Sequence, residues 1–322
     1  MTRPVARRRS LLFAPAAILA APRLAHAAWP ERPVRIVVAF PPGSSTDVVA
    51  RALAQKLGEQ TGQAFVVENR GGAGGNIGAQ AVRGSADGQT LLMHSTAIAV
   101  NPTLYRNAVY ALDDFATVAV VATAPNAFFV HPSVPARTLP ELIAHIRAHP
   151  GIAYAHSGTG TTPHLGAELL FNTLAGVRAT PVAFGPAQAA TAVVANQAPI
   201  GSTSLPPALP LIREGRVRGI AVAGAQRDPT LPDLPTVAEQ GFPGFEASTW
   251  FGLFAPARMP AEALDRLLAE VPRAMAAPDL VARLAAQSLT DPGLTGEPAA
   301  TFVRREAARW AEVVRSSGAT AE

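Results

Sequence analysis

From residue 34 onward, short apolar runs alternate with segments of helical period. Val34–Phe40 is apolar but for Arg35, as expected of a strand covered on both faces of a parallel sheet. Pro41-Pro42-Gly43-Ser44-Ser45 breaks the run. A helix is predicted to begin near Thr46 or Asp47, with Val49, Leu53 and Leu57 at i, i+4 and i+8 on its inner face. Phe65–Glu68 predicts a second strand, Arg70–Gly75 a glycine loop, Asn76–Arg83 a helix and Thr90–His94 a third strand. Strands at Val118–Val121 and Ala127–His131 precede a helix over Leu139–Ala148. Ile152–His156 reads as a strand, Ser157–Thr162 as a polar loop and Pro163–Leu174 as a helix. Short strands near Val182 and Val217–Ala223 continue the alternation. The end is helical, over Ala261–Met275, Asp279–Gln287 and a segment carrying Val303, Ala307, Trp310 and Val314. Strands alternating with helices predict an α/β protein with mostly parallel sheets. The 26 glycines and 30 prolines punctuate the elements without forming a linker, so composition marks no domain boundary.

One pattern occurs twice. A strand runs into Pro41-Pro42-Gly43-Ser44-Ser45-Thr46 and then a helix; another runs into Ser157-Gly158-Thr159-Gly160-Thr161-Thr162 and then a helix. Unpaired amides at a helix start carry partial positive charge, so such loops can hold an anion without arginine. In open α/β sheets they lie at the carboxyl ends of strands, where ligands bind. Two such cradles could close on one carboxylated ligand. The alternative is that Ser, Thr and Gly here only cap helices and make turns.

Other motifs fall short of a chemistry. Gly71-Gly72-Ala73-Gly74-Gly75-Asn76-Ile77-Gly78 lacks the Gly-Lys-Ser/Thr ending of a P-loop, and Ile77 stands at the last glycine position of a dinucleotide fingerprint. A close strand–helix turn is the better reading. There is no G-x-S-x-G elbow. His145 and His149 are spaced i, i+4, but Ile146 stands where H-E-x-x-H has Glu. His94, His131, His156 and His164 have no carboxylate at ligand spacing and read as structural, with His164, one turn past the second cradle, facing the cleft. Trp250 and Phe251 are core plugs or a cleft wall.

Charge changes the picture only at the N-terminus. The chain has 322 residues, 27 Lys+Arg against 23 Asp+Glu, and a formal net charge of +4. Residues 1–27 hold Arg3, Arg7, Arg8, Arg9 and Arg23 and no acid. Four of these arginines precede an apolar run, Leu11–Ala21, and Ala25-His26-Ala27 supplies a small-x-small cleavage site: the layout of a secretory signal peptide. The run is about half of what a membrane span needs. Arg8-Arg9-Ser10-Leu11-Leu12 also fits a twin-arginine signal loosely, leaving either export route open. Cleavage after Ala27 removes five basic residues from 27, leaving 22 against 23 acids, a charge of −1. That excludes a basic nucleic-acid-binding surface. Without cysteine, neither a disulfide framework nor a lipid-modified cysteine is available. The expected location is the bacterial periplasm.

The residues then resemble a known family. Trp29-Pro30, Phe40-Pro41-Pro42-Gly43 and Thr46-Asp47-Val48-Val49-Ala50-Arg51 are similar to the opening of the substrate-binding proteins of tripartite tricarboxylate transporters, the Bug (TctC-like) family. The likeness continues through Val67-Glu68-Asn69-Arg70, Gly74-Gly75-Asn76-Ile77-Gly78, Ser157-Gly158, His164-Leu165 and Pro235-Thr236-Val237-Ala238-Glu239. It ends in Trp250-Phe251-Gly252-Leu253-Phe254-Ala255-Pro256, covering essentially the whole mature chain. The resemblance implies a two-lobed periplasmic binding protein (type II, Venus flytrap): lobe I from residues 28–126 plus 248–322, and lobe II from 127–247. It implies a carboxylate held between the lobes by Pro42, Gly43, Ser44, Ser45 and Thr46 on one side and Ser157, Gly158, Thr159, Gly160 and Thr161 on the other. Ser95, Thr96 and His164 are further cleft candidates.

Departures from the family pattern narrow the ligand. Glycines are usual where Ser44 and Ser45 stand, a Tyr-containing stretch reads Val182-Ala183-Phe184-Gly185, and Thr203 aligns with a frequent aspartate. The missing carboxylate disfavours an amino acid, so the expected ligand is a small organic carboxylate without a cationic group, with an apolar body against Phe184. No cofactor or metal is implied. The implied role is transport, a monomer delivering its ligand to the large and small membrane subunits of a tripartite transporter. A sensor presenting its closed form to a membrane signalling partner is the alternative. A hydrolase is disfavoured because no nucleophile–base pair is visible.

Overall fold

The structure, a computed structural model, describes residues 29–317, 320 and 321. The expected signal peptide, residues 1–27, lies outside the described residues. The chain begins with β1 (Val34–Val38), α1 (Ser45–Thr61), β2 (Phe65–Asn69), α2 (Asn76–Arg83), β3 (Thr90–Ser95) and α3 (Ala97–Leu104). A long β4 (Phe115–Val130) leads to α4 (Leu139–Ala148), β5 (Ala153–His156) and α5 (Thr162–Glu168), which runs on as a π-helical turn over Leu169–Leu174. Next come β6 (Thr180–Ala183), α6 (Gln188–Val194), β7 (Ile200–Ser204), α7 (Leu205–Arg213) and β8 (Arg218–Val222). The last elements are β9 (Ser248–Pro256), α8 (Ala261–Met275), α9 (Pro278–Ala285), β10 (Leu294–Thr295) and α10 (Gly296–Ser317).

The strands form one mixed sheet in the order β2-β1-β3-β9-β4-β7-β5-β6, with β8 and β10 also paired to β4. β1 runs parallel to β2 and β3, and β5 runs parallel to β6 and β7. Every antiparallel pairing involves β4 or β9. The fold is two-lobed because β4 changes partners midway. Phe115–Pro125 pairs with β9, whereas Asn126–Val130 pairs with β7 and β8.

The apolar cores divide along the same line. Val38, Val49, Leu53, Met93 and Phe251 share one cluster; Val37, Leu92, Trp250, Phe254 and Val303 share another, because successive strand residues face opposite sides. Beyond Asn126, Phe128, Tyr154, Phe171 and Ile200 form a third, and Phe129, Ala155, Val193 and Leu209 a fourth. Each fully buried side chain of this size contributes ~1.5–3 kcal/mol. A fifth cluster joins the halves, with Leu165 against Val100, Leu104, Trp310 and Val314.

Local sequence explains the first helix. Ser44 caps α1 by accepting from the Asp47 N–H (3.3 Å), and Gly62, left-handed at φ 72°, ends it with its N–H on the Gly58 carbonyl. Val49, Leu53 and Leu57 are fully buried, as their spacing predicts. The glycine segment is a close turn. A Cβ on Gly75 (φ 100°) would sit 2.4 Å from His94 Nε2, and one on Gly78 would sit 2.7 Å from the Ala39 Cα.

The sequence pattern missed or divided several elements. β4 read as two strands because Thr123, Pro125 and Asn126 interrupt its apolar run, yet it is continuous. β9 was read only as two aromatics. Of these, Trp250 is core, its indole N–H on the buried Glu306 carboxylate, and Phe251 is both core and cleft wall. β7 was hidden by its polar Ser202-Thr203-Ser204 ending. The helix predicted over Pro163–Leu174 keeps α geometry only to Glu168.

Candidate functional site

Where the halves of the sheet meet, a narrow cleft is lined by Phe40, Ser45, Thr46, Ser95, Ser157, Thr161, Thr162, Pro163, Pro186, Ser204, Thr249 and Phe251. Eight of these twelve carry hydroxyl groups and none carries a charge, so the site offers hydrogen bonds between apolar walls. Its free volume is about 20 Å³, room for about one water. The halves touch through hydroxyl pairs: Ser45 Oγ lies 3.0 Å from Ser204 Oγ, and Thr162 Oγ1 lies 2.6 Å from Thr249 Oγ1. Thr249 donates its proton to Asn126 Oδ1 (2.7 Å), so Thr162 is the donor in the second pair. Ser157 Oγ and Asn126 Nδ2 are buried without a hydrogen-bond partner among the described residues. A buried hydroxyl left unpaired costs about 1–3 kcal/mol, so Ser157 is a place where a ligand oxygen is favoured.

The first loop is held from behind. Asp47, 4% exposed, accepts from the Gly43 N–H (3.0 Å), from Asn69 Nδ2 (2.8 Å) and from Arg51 Nε (3.0 Å). Asn69 also donates to the Phe40 carbonyl (3.0 Å). Burial alone would raise the Asp47 carboxyl. The bonds from Arg51, Gly43 and Asn69 outweigh it and hold the group below its ordinary value. The second loop turns on Gly158 (φ 123°) and Gly160 (φ 79°), and the Gly158 carbonyl accepts from both the Thr161 N–H (3.2 Å) and its hydroxyl (2.7 Å). Gly160 packs so tightly on α3 that a Cβ there would lie 2.1 Å from a Leu104 methyl. His94, wholly buried behind Phe40, is pushed down to about 4 by burial and is neutral near pH 7.

Among the residues singled out from sequence, Ser45, Thr46, Ser95, Ser157 and Thr161 come together in the cleft. Ser44 is the α1 cap, Pro42 and Gly43 are exposed at the mouth side of the first loop, and Gly158 and Gly160 shape the second. Thr96 is bonded to the Trp250 backbone instead (3.0 Å). Thr159 and His164 face a neighbouring cavity. Thr203 points away from the cleft and donates to the Ser204 carbonyl (2.8 Å), since strand residues alternate sides and Ser204 takes the inward position. Phe184 lines an outer groove with Ala187, Gln188 and Thr191, while Pro186 reaches the cleft. Thr162, the last residue of the second cradle, also lines the cleft, and the sequence reading missed Phe40, Pro163, Pro186, Ser204 and Thr249. It also missed Asp47 and Asn69 as braces, although both stand inside the family-like motifs. Among the described residues, no cluster of His, Cys, Asp or Glu suits a metal ion, and no helix is long and apolar enough to cross a membrane.

Comparison with known proteins gives consistent matches. Residues 49–319 match the model of the tripartite tricarboxylate transporter family receptor. Protein BugT of Bordetella pertussis is 36% identical over 314 residues, covering 96% of each chain. Among solved structures, R. palustris Rpa4515 with adipate is 35% identical with a TM-score of 0.85, covering 91% of this chain and 99% of that one. MatC of Rhodopseudomonas palustris with bound malate is 33% identical with a TM-score of 0.81, covering 89% of this chain and 100% of that one.

Proposed function

The chain belongs to the tripartite tricarboxylate transporter receptor family, and from that premise we propose that it captures a small organic carboxylate without a cationic group. One observation carries this reading: the described residues lining the interlobe cleft offer hydroxyls, among them Ser157 Oγ with no partner among them, and no charged side chain. A carboxylate accepts hydrogen bonds from neutral donors, and such charge-assisted bonds are stronger than neutral ones. An ammonium group would lie in the same cleft without a counter-charge, which is expensive once water is excluded. The adipate and malate in the structures of related proteins support the ligand class.

Ligand entry requires the lobes to part, since the free volume is about 20 Å³. We place the lobes at 28–126 plus 248–322 and at 127–247. The Ser45–Ser204 and Thr162–Thr249 pairs then break on opening, and ligand oxygens take over their bonds on closing. Closure is a population shift driven by the ligand's greater affinity for the closed form. The closed monomer delivers the ligand, in the periplasm, to the large and small membrane subunits of a tripartite transporter. No step of this role makes or breaks a covalent bond, and the chain acts as a carrier rather than an enzyme.

Calorimetric titration of the chain beginning at Ala28 with adipate, malate and glutamate tests the reading. Binding of a plain organic acid is expected, with glutamate weaker. Tight amino-acid binding without response to plain acids would overturn it.

A further inference from the structure

Behind the cleft, His156 at the end of β5 and His164 on α5 stack face to face, ring centroids 4.4 Å apart and planes 27° from parallel. They are only 2% and 8% exposed. Each ring uses Nδ1 as an acceptor: His156 receives the Gly158 N–H (3.2 Å) and His164 the Gly160 N–H (3.3 Å). These glycines shape the loop that sets Ser157 and Thr161 in the cleft. An Nδ1 acceptor exists only in the neutral ring protonated on Nε2. A proton on Nδ1 would aim donor at donor, and with both rings charged, two like charges would stand 4.4 Å apart.

Groups facing the pair come from several elements. Tyr154 on β5, its ring 5.7 Å from His156, donates to Glu168 Oε1 (2.5 Å), which also bonds Asn172 through Oε2. Thr159, Leu165, Pro181, Ala183, Val313 of α10 and Thr320 are among the other residues lining a cavity of about 640 Å³ beside both rings. Glu168 is the one charged side chain among the described residues lining this cavity, and it favours a charged His164. Burial opposes it and wins, so His164 lies below its ordinary value. Burial, aided by the neighbouring ring, pushes His156 down to about 3.

We propose that His156 and His164 are positioning residues for the Ser157–Thr162 loop: while both rings are neutral they hold its amides in place, and proton uptake by either ring releases the loop and weakens capture. The capture clause rests on the function proposed above; the geometry of the pair does not. Both values lie below the ordinary 6.5 of histidine, so the ordered loop is fully supported above about pH 6.5 and loses support as pH falls toward 3.

Imidazole and amide NMR of the nitrogen-labelled mature chain tests the pair without any ligand. At about pH 7, both rings are expected with the proton on Nε2. Acidification should move the Gly158 and Gly160 amide signals together with the rings, at midpoints below 6.5. A ring protonated on Nδ1 at neutral pH, or one titrating at its ordinary value without moving those amides, overturns the proposal. His164→Asn keeps an acceptor oxygen near the Nδ1 position and cannot titrate, so the Gly160 amide should stay unmoved by acid. If that variant does not fold, the wild-type tautomers and midpoints still decide. With adipate or malate as the probe, acidification from about pH 7 toward about pH 3 should weaken wild-type binding about tenfold more than it weakens binding by the His156→Asn, His164→Asn double variant. Equal weakening of the wild type and the double variant overturns the proposal, whereas failure of both acids to bind defeats only the functional reading.

Discussion

The two loops that meet across the cleft are built alike in sequence and braced in opposite ways. The Pro41–Thr46 loop hangs on a carboxylate: Asp47 takes the Gly43 amide and is itself held by Arg51 and Asn69. The Ser157–Thr162 loop hangs on two neutral imidazoles, His156 and His164, which take the Gly158 and Gly160 amides. Both devices give a backbone N–H an acceptor it would otherwise lack. They differ in what a proton leaves behind: a carboxyl that gains one keeps an acceptor oxygen, whereas an imidazole protonated on both nitrogens keeps none, so the two sides of one site have unequal tolerance to acid.

Removing the stronger brace is the largest test of this contrast. Asp47→Ala leaves the Gly43 amide, Asn69 and Arg51 without their shared acceptor. It should cost about 2–4 kcal/mol of stability, read by urea denaturation; a loss under about 1 kcal/mol would remove the carboxylate from its bracing role. On the other side, Gly160→Ala adds a methyl against Leu104 at φ 79°. About 1–3 kcal/mol of strain in the closed form is expected, lowering ligand affinity about tenfold or more. Affinity equal to wild type would mean that the loop does not seat on α3 when ligand binds.

Acid should then separate the loops. Asp47 lies below its ordinary 3.8, so its contribution is present above about pH 4 and is lost as pH falls through its lower folded value. Amide exchange corrected for intrinsic rates should find Gly158 losing protection as pH falls toward about 3 and Gly160 losing it below about pH 6.5, with Gly43 the last of the three to lose it. Simultaneous loss would erase the contrast. The smallest effect belongs to the hydroxyl bridge: a double-mutant cycle of Ser45→Ala and Ser204→Ala should give a coupling of about 0.5–1.5 kcal/mol in ligand-free stability.

Much of this was legible in the chain. The 3.6-residue period located α1 by Val49, Leu53 and Leu57, and both loops stood out because Gly, Ser and Thr sit between an apolar run and a helix. Partners distant in sequence were not legible. Thr249 and Ser204 reach the cleft from β9 and β7, and pairing between remote strands leaves no local period. Thr203 was chosen where Ser204 faces inward, a one-residue slip that in a strand means the opposite side. His156 and His164 read as unrelated because neither eight-residue spacing nor composition shows that a turn folds one ring onto the other.

β4 carries a final consequence. β4 passes from β9 to β7 between Pro125 and Asn126, and the segment entering β9 runs beside it, tied by the Asn126 N–H on the Ala247 carbonyl (3.1 Å). Together they make a two-stranded ribbon. Such a ribbon barely stretches, because its peptides are extended, but it twists readily. The lobe parting proposed above is then expected to be rotation rather than sliding. Motion of this kind belongs to the microsecond-to-millisecond range of hinged bodies. The pace of the molecule is then governed by the contacts that let go at the cleft, not by any refolding of the strand that spans it.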